Sequence, residues 1–392
     1  MSQLETNYDA IVLGIGSMGS SSCYHLSKRG FKILGIEQFD IPHNYGSHNG
    51  HSRIIRKAYF EHPSYVPLLE GAYKNWEILQ KEYGEQIYFK TGLLYFGPED
   101  HLLIKGSRRS AEQYGIKINQ FTAEEQKEKY PQFKIPETFV NMLEKDAGFI
   151  TPERAIIAFT KLAQNNGAKI NTNEKAVKWY KKEDSIIVQT NRNTYQCKKL
   201  VISVGAWMSE LSNVSEFKVT KQILAWAKPK TWEDFTIKSF PCWTYADNST
   251  KGMFYGFPIL PSSISHDGYQ GLKFAHHFKG EETDPNNVDR KVSKNQEEEL
   301  LEAIQKFIPK GIESIHTSKT CLYTYSKDDD FIIDHHPANE DVIITAGFSG
   351  HGFKFTSVVG EIVTDLVEKD NSDYPIEFLK LKRFSKNAIK QH

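Results

Sequence analysis

The order of apolar and polar positions predicts that the chain begins with a strand, a helix and a second strand. Apolar residues fill positions 10–13, helical spacing follows at 20–29, and residues 32–37 form a short buried strand. Helical spacing recurs at 65–83 and 153–166. Strands that alternate with helices in this way are typical of a parallel sheet.

The pattern changes in the middle of the chain and returns near its end. Residues 200–207 form an apolar strand that ends in a glycine turn, whereas 219–279 contains short strands separated by Pro, Gly and Asp, which favours an antiparallel sheet. Residues 342–347 predict a late parallel strand, and 355–369 a helix with one apolar face. We therefore predict an α/β fold into which an α+β domain built on an antiparallel sheet is inserted in pieces.

Glycines at the first strand–helix turn predict a dinucleotide site. Gly14 permits a tight turn, Gly16 lets the backbone approach a pyrophosphate, and Gly19 lets the helix pack closely on the strand. The helix that follows directs unpaired N–H groups and the positive end of its dipole at the anion. Glu37 closes the second strand, where an acid accepts hydrogen bonds from the adenosine ribose, and no Arg or Lys follows directly, which argues against NADP.

Composition narrows the class of protein. The 392 residues suggest two domains, and 49 basic residues balance 49 acidic ones, so no charge field favours nucleic acid or an anionic membrane. No apolar run approaches the roughly 18 residues of a membrane span, and the N-terminus lacks the pattern of a secretory signal. The four cysteines show no metal spacing. We expect a soluble intracellular protein without a metal site, nucleic-acid partner or membrane partner.

Two glycine-rich segments could approach an anion. Residues 46–56 combine small residues with Arg53 and Arg56, although a solvated basic loop would have the same composition. In residues 347–354, Gly347, Gly350 and Gly352 lead from a strand into a helix. Their N–H groups could stabilise negative charge on a ring system or a carboxylate, or the segment could be only a turn.

Two further segments contain candidate reactive side chains. Cys321, considered alone, is better explained as a buried and inert thiol. Tyr255 lies in Tyr-Gly-Phe-Pro, and Lys273 follows in a strand that ends at His277. Because the neighbours of Lys273 are apolar, its side chain could face a cavity where desolvation lowers its pKa, or it could lie on an exposed sheet face.

Taken in order, these motifs resemble those of the monomeric sarcosine oxidase family of FAD-dependent amine oxidases, which includes N-methyltryptophan oxidase and L-pipecolate oxidase. The resemblance runs essentially from end to end. Its motifs are Gly-x-Gly-Ser-Met-Gly, Pro-His-x-x-Gly-Ser-His, Arg-Ile-Ile-Arg, Thr-Gly-Leu-Leu, Gly-Ala-Trp, Tyr-Gly-Phe-Pro, Cys-x-Tyr-Thr, Phe-Ile-Ile-Asp and Ala-Gly-Phe-Ser-Gly-His-Gly-Phe-Lys. The last of these is long and close to diagnostic.

The resemblance implies an architecture and a cofactor. A Rossmann-type FAD-binding domain would comprise residues 1–88, 147–215 and 319–392, and an inserted catalytic domain would comprise 89–146 and 216–318. FAD would be bonded covalently, through the sulfur of Cys321, to its 8α carbon. The residues matching the family's cofactor contacts are Gly14, Gly16, Ser17, Met18, Gly19, Glu37, His48, Asn49, Cys321, Gly347, Gly350 and Gly352.

The resemblance also implies roles around the flavin. Arg56 and Lys354 match the pair that clamps the substrate carboxylate. Lys273 matches the lysine on the opposite flavin face, where dioxygen is reduced. The other matching site residues are Tyr255 and His277 at the amine, and Arg53 near the flavin ring.

One departure from the family is Asn49, where relatives usually have His. Asn can donate a hydrogen bond but cannot become a cation near neutral pH, so the resemblance leaves open how the flavin is tuned and attached. The implied reaction oxidises a secondary amino acid, sarcosine or another N-methyl amino acid, to an imine and reduces O2 to H2O2. L-Pipecolate or L-proline is an alternative substrate, and a catalytically silent FAD-binding protein or a nicotinamide-dependent dehydrogenase is a rival. The expected protein is a monomer in the cytoplasm or, alternatively, in the peroxisomal matrix.

Overall fold

The computed structural model describes residues 5–212, 214, 217–268, 270–309 and 311–384. The strands are β1 (Glu5–Leu13), β2 (Ile33–Ile36), β3 (Arg53–Ile55), β4 (Tyr88–Phe89), β5 (Leu93–Gly97), β6 (Asn119–Phe121), β7 (Val140–Glu144), β8 (Gly148–Ile150), β9 (Lys169–Asn171), β10 (Ala176–Lys182), β11 (Ser185–Thr190), β12 (Thr194–Ile202), β13 (Lys218–Pro229), β14 (Cys242–Tyr245), β15 (Met253–Gly256), β16 (Leu272–His277), β17 (Ile312–Tyr325), β18 (Ile332–His336) and β19 (Asn339–Ala346). The α-helices are α1 (Ser17–Lys28), α2 (Val66–Tyr83), α3 (Leu102–Tyr114), α4 (Ala123–Lys129), α5 (Pro152–Asn165), α6 (Met208–Leu211), α7 (Lys294–Gln305) and α8 (Thr356–Lys369).

The first sheet has a parallel centre, as the sequence predicts. Its order is β10-β11-β12-β1-β2-β9, with β19 beside β12 and β18 beside β19. β1 runs parallel to both β2 and β12, and β12 runs parallel to β19. The predicted strand–helix–strand unit at the N-terminus is therefore confirmed, and α1 packs against both α5 and α8. Helix α1 begins three residues earlier than the predicted start at residue 20.

The second sheet is largely antiparallel and has the order β17-β13-β16-β15-β14-β5-β7-β6. Only one neighbouring pair in this order, β14 with β5, is parallel. A small third sheet joins β3, β8 and β4. The fold prediction is thus confirmed: a nucleotide-binding α/β domain carries a second domain on a mixed, mainly antiparallel sheet.

Strands of the two large sheets come from interleaved parts of the chain. The first sheet takes residues 5–36, 169–202 and 332–346, and the second takes 93–144 and 218–325. The predicted division into five segments stays a prediction, and β17 runs across its boundary at 318/319. Among the described residues, none of the helices combines the length and apolar character of a membrane span.

The second sheet has two buried faces with different roles. On one face, Ala225 and Phe274 pack against Leu300 and Ile304 of α7. The other face contains a cluster that includes Leu224, Tyr255, Ala275, Cys321 and Tyr323. Because side chains alternate along a strand, Lys273 and His277 lie on this second face with Ala275. The sheet therefore presents the predicted site residues together on one surface.

Candidate active site

A cavity lies where β1, β2, β12 and β19 end. The crevice at the carboxyl ends of parallel strands is the usual ligand site of such sheets. Most of the predicted cofactor contacts line it: Gly14, Gly16, Ser17, Met18, Glu37, His48, Gly347, Gly350 and Gly352. The remaining three, Gly19, Asn49 and Cys321, lie outside its lining.

The glycine turn has the conformation that the motif predicts. Gly14 has φ +81°, in the left-handed region that favours glycine. A Cβ atom on Gly19 would lie 1.8 Å from the carbonyl oxygen of Gly14, so only glycine lets α1 approach β1 this closely. No side chain caps the N-terminus of α1, and Gly16, Ser17 and Met18 at this end face the cavity. The helix therefore offers its N-terminal N–H groups to an anion.

Glu37 fixes the glycine turn to the end of β2. One carboxylate oxygen accepts a hydrogen bond from the N–H of Ile15 at 2.7 Å, and the other accepts one from Phe39 at 3.0 Å. Burial raises the pKa of Glu37 to about 6. Both oxygens retain further lone pairs, which suits the acceptance of ribose hydroxyl groups.

Buried polar atoms in the cavity wall indicate a polar ligand. The hydroxyl groups of Thr324 and Thr345 are buried and have no hydrogen-bond partner within the described part of the chain. Both residues line the cavity, and buried polar groups in native proteins are nearly always paired. Together with the free helix end and Glu37, these residues fit a dinucleotide such as FAD.

A second cavity adjoins the first. Arg53, Tyr323, Gly350 and Phe353 line both of them, so these four residues lie where the cavities meet. The second cavity also brings together four residues predicted for substrate, namely Arg56, Tyr255, His277 and Lys354. Tyr255 is paired with Ala275 between β15 and β16, which places it on the same face as His277.

Arg56 is buried and bound to an acid that the sequence analysis does not identify. Its Nη2 atom lies 2.7 and 2.6 Å from the two carboxylate oxygens of Glu61, and its Nη1 atom donates to the carbonyl of Ala58 at 2.8 Å. The guanidinium carbon lies 4.4 Å from the Tyr59 ring centre and 4.3 Å from that of Phe60. Burial alone would raise the pKa of Glu61, but Arg56 holds it at about 2.

Lys354 supplies a second buried cation to this cavity. Its Nζ atom donates to the carbonyl of His351 at 2.6 Å and lies 5.1 Å from the Tyr59 ring centre, so Lys354 and Arg56 both contact this ring. Burial, and then repulsion by Arg56, lowers the pKa of Lys354 to about 7. The amine is therefore near its titration midpoint at neutral pH and would gain its proton fully beside an anion.

Two imidazoles face the same cavity in their neutral form. Burial lowers the pKa of His277 to about 4, with a further contribution from the nearby cations Lys354 and Arg56. Burial likewise lowers the pKa of His351 to about 3, and this ring is hydrogen-bonded to the Tyr59 hydroxyl. His351 lies inside the predicted glycine-rich segment, but the sequence does not show that its side chain reaches the cavity.

Lys273 lies deeper than the two cavities and lines neither. Its side chain is 1% exposed, and Nζ donates to the carbonyl of Ser52 at 2.7 Å. The ammonium lies 4.5 Å from the ring centre of Phe257 and 5.7 Å from that of Trp226. Burial, and then Arg53, lowers the pKa of Lys273 well below its ordinary value.

Arg53 is held by backbone carbonyls of its own loop. Nη1 donates to Ser52 at 2.8 Å, and Nη2 donates to Ser47 and Asn49 at 2.9 and 2.5 Å. Its position in the shared wall of the two cavities places a permanent cation between them.

Cys321 is 1% exposed, and its sequence neighbours Leu322 and Tyr323 line the first cavity. Burial raises the pKa of the Cys321 thiol, while Arg53, Lys273 and Arg290 oppose this effect. The side chain of Asn49 donates to the carbonyl oxygens of Asn44 and Thr320, each at 3.0 Å. One amide hydrogen of Asn49 therefore holds the loop against β17, and the other closes a contact within the loop.

Comparison with known proteins identifies the family of this chain. A sequence model of the FAD dependent oxidoreductase family matches residues 9–366. Monomeric sarcosine oxidase of Streptomyces avermitilis is 35% identical over 387 residues, which cover 97% of this chain and 99% of the relative. N-methyl-L-tryptophan oxidase of Citrobacter koseri is 30% identical over 379 residues, with coverage of 96% and 99%.

The solved structure of NikD, an amino acid oxidase of nikkomycin biosynthesis, has the same fold. It superposes with a TM-score of 0.84 at 21% identity and covers 96% of this chain and 98% of NikD. The cofactor is FAD, and the protein is an oxidase that acts on CH–NH donors. The chain belongs to the monomeric sarcosine oxidase and N-methyltryptophan oxidase family of FAD-dependent oxidoreductases.

Proposed function

We propose that this protein oxidises a secondary amino acid, sarcosine or another N-methyl amino acid, to its imine and reduces O2 to H2O2. The observation that carries the proposal is the second cavity, where two buried cations, Arg56 and Lys354, lie beside the FAD cavity. FAD supplies the two-electron redox chemistry when it is bound. The protein residues bind and orient the substrate, and we expect the enzyme to act as a monomer.

Arg56 and Lys354 are proposed to bind the substrate carboxylate from two sides. A guanidinium matches a carboxylate geometrically, and a second cation fixes the direction of the substrate. Glu61 occupies one nitrogen of Arg56 and balances its charge before substrate arrives. The aromatic rings of Tyr59 and Phe60 limit how far the guanidinium can move.

The substrate nitrogen is proposed to lie against Tyr255 and His277. The amine must be neutral to react, so its ammonium proton must leave on binding. Arg53 and the two carboxylate-binding cations disfavour a further positive charge in the cavity. His277, neutral because burial lowers its pKa to about 4, is able to accept a hydrogen bond there.

Residues of the first cavity are proposed to hold FAD. The N-terminus of α1 would bind the pyrophosphate, and Glu37 the ribose. The unpaired hydroxyl groups of Thr324 and Thr345 would find partners on the cofactor. Cys321 is proposed to form the covalent link, and Lys273 to stabilise the negative charge of dioxygen after it accepts the first electron.

L-Pipecolate or L-proline is the second candidate substrate. Ile54 and Met253 also line the second cavity and offer apolar contacts to ring methylene groups. The test is a peroxide assay with N-methyl, cyclic and primary amino acids. Secondary amino acids should give the highest kcat/KM; a preference for primary ones would contradict the proposal, and a yellow protein inert to all would favour the silent alternative.

Cys321→Ala is expected to release all flavin on acid precipitation, because the proposed sulfur link is lost. The wild-type pellet should retain its visible absorbance, and the variant should leave it in the supernatant. Cys242→Ala is the matched control, since Cys242 is also buried and belongs to the same apolar cluster. Flavin that stays with the Cys321→Ala polypeptide would contradict the covalent assignment.

Binding of a simple carboxylate is expected to weaken as pH rises through the pKa of Lys354, about 7. Below this value the amine is charged and attracts the anion; above it the neutral amine does not. For propionate, measured by perturbation of the flavin absorbance, Kd should rise about tenfold per pH unit at alkaline pH. A Kd that stays constant from about pH 6 to about pH 8.5 would contradict this role.

A further inference from the structure

Two buried carboxylates hold the backbone on either side of β3, the strand between Arg53 and Arg56. Before the strand, Glu153 accepts hydrogen bonds from the N–H groups of Gly50 at 2.7 Å and His51 at 3.1 Å. After the strand, Glu144 accepts them from Lys57 at 2.6 Å and Ala58 at 3.2 Å. The two acids lie at the ends of segment 144–153, and β8 within that segment pairs with β3.

The loop that Glu153 holds is also the loop that binds Lys273. The carbonyl of Ser52 accepts hydrogen bonds from Lys273 at 2.7 Å and from Arg53 at 2.8 Å. Nζ of Lys273 also donates to the Ser52 hydroxyl, at 3.3 Å. A shift of the backbone at Gly50 and His51 would therefore move the oxygen atoms that fix the ammonium.

Glu153 also places a negative charge near Lys273. The titratable and charged groups that face Lys273 are Arg53 on β3, His51 in the loop, Glu153 on α5, Cys242 on β14 and Cys321 on β17, with the Asp267–Lys319 ion pair behind His51. Burial keeps the pKa of both thiols high and that of His51 low, so these three groups are neutral at neutral pH. The positive charge of Arg53 disfavours protonation of Lys273, and the negative charge of Glu153 favours it.

We propose that Glu153 is a positioning residue for the oxygen half-reaction: it fixes the loop that binds Lys273, and its carboxylate supplies a negative charge that favours the ammonium form of this side chain. Burial disfavours the charged form of Lys273. Among the groups named above, the negative carboxylate of Glu153 favours that form. In its protonated form the Lys273 amine would act on dioxygen through its charge. The inference rests on the proposed placement of Lys273 at the face where O2 is reduced.

The test compares Glu153→Gln with the wild-type holoenzyme. Glutamine keeps an oxygen that accepts from Gly50 and His51 but carries no charge. In a pH titration of the visible absorbance of the oxidised enzyme, without turnover, the midpoint assigned to Lys273 should fall by about one pH unit or more. Reoxidation at neutral pH should slow about tenfold, with anaerobic reduction by substrate changed less than about twofold.

Two further variants test whether the charge of Glu153 sets the titration midpoint. Glu144→Gln removes the matched buried carboxylate on the other side of β3 and should leave the titration midpoint in place. Glu153→Asp keeps the charge, so its midpoint should stay within about half a pH unit of the wild type even if Glu153→Gln does not fold. An unchanged midpoint in Glu153→Gln, or an equal fall in Glu144→Gln or Glu153→Asp, would overturn the charge role.

Lys273→Met separates this inference from the function on which it rests. In that variant the absorbance titration should disappear and reoxidation should be slow. If reoxidation is unchanged, the placement of Lys273 is wrong. If Lys273→Met behaves as expected and Glu153→Gln matches the wild type, only the role of Glu153 fails.

Discussion

Lys273→Met is expected to slow reoxidation of the reduced enzyme by O2 about 10²–10³-fold, the usual effect of removing one buried electrostatic contact from a transition state. Lys273 is 1% exposed, and its Nζ atom lies 4.5 Å from the ring centre of Phe257 and 5.7 Å from that of Trp226, so its charge acts through a medium of low dielectric constant. Methionine has a similar length and fits an apolar site. Rapid mixing of the reduced enzyme with O2 measures the rate.

The same variant should be reduced by substrate under anaerobic conditions at a rate within about twofold of the wild type, since Lys273 lines neither cavity. Lys279→Met is the matched control: this lysine follows β16, is 64% exposed and pairs with Asp329. Its replacement should change neither half-reaction. Equal losses in both half-reactions of Lys273→Met would show that Lys273 does not act on oxygen.

The sequence predicts the centre of the first sheet well because the strands there are nearly continuous apolar runs. Strands β1, β2 and β19 lie inside the sheet and have buried residues on both faces, so their pattern is clear. The start of α1 is missed because Ser17 and Gly19 carry no helical apolar signal. At Gly19 a small residue is dictated by the close approach of helix and strand.

The candidate site is predicted where a local motif determines it. The glycine turn and Glu37 depend on short-range geometry, and the structure places both in the wall of the first cavity. The pairing of Arg56 with Glu61 has no such signal, because the two residues are five positions apart in irregular chain, which fits neither helix nor strand spacing. Only the path of the chain after β3 brings the two side chains together.

Asn49 shows that tertiary contacts can give a side chain partners that its motif does not predict. From sequence, this side chain is expected beside the flavin as a hydrogen-bond donor. In the fold, both of its amide hydrogens bind backbone carbonyls, one of them that of Thr320 next to Cys321. The contact with Thr320 holds the loop to β17, and the residue that accepts it is 271 positions away in sequence.

Lys354→Met is expected to lower kcat/KM for a secondary amino acid about 10²-fold, chiefly by raising KM. A hydrogen bond to a charged group contributes about 1.5–3 kcal/mol, and each 1.4 kcal/mol corresponds to a factor of about ten. Lys354 is a better target than Arg56, because loss of Arg56 would leave Glu61 buried without its partner and cost about 3–5 kcal/mol of stability. Steady-state assays at fixed O2 measure the effect.

A substrate without a carboxylate tests whether Lys354 acts on the carboxylate itself. For a secondary amine of similar size that lacks the carboxylate, Lys354→Met and wild type should have the same kcat/KM, because the contact removed is one that this amine does not make. Lys369→Met, at the exposed end of α8, the helix that follows Lys354 in the chain, should leave both substrates unaffected. An equal loss for the amine and the amino acid would mean that Lys354 supports the cavity in general and does not bind the carboxylate.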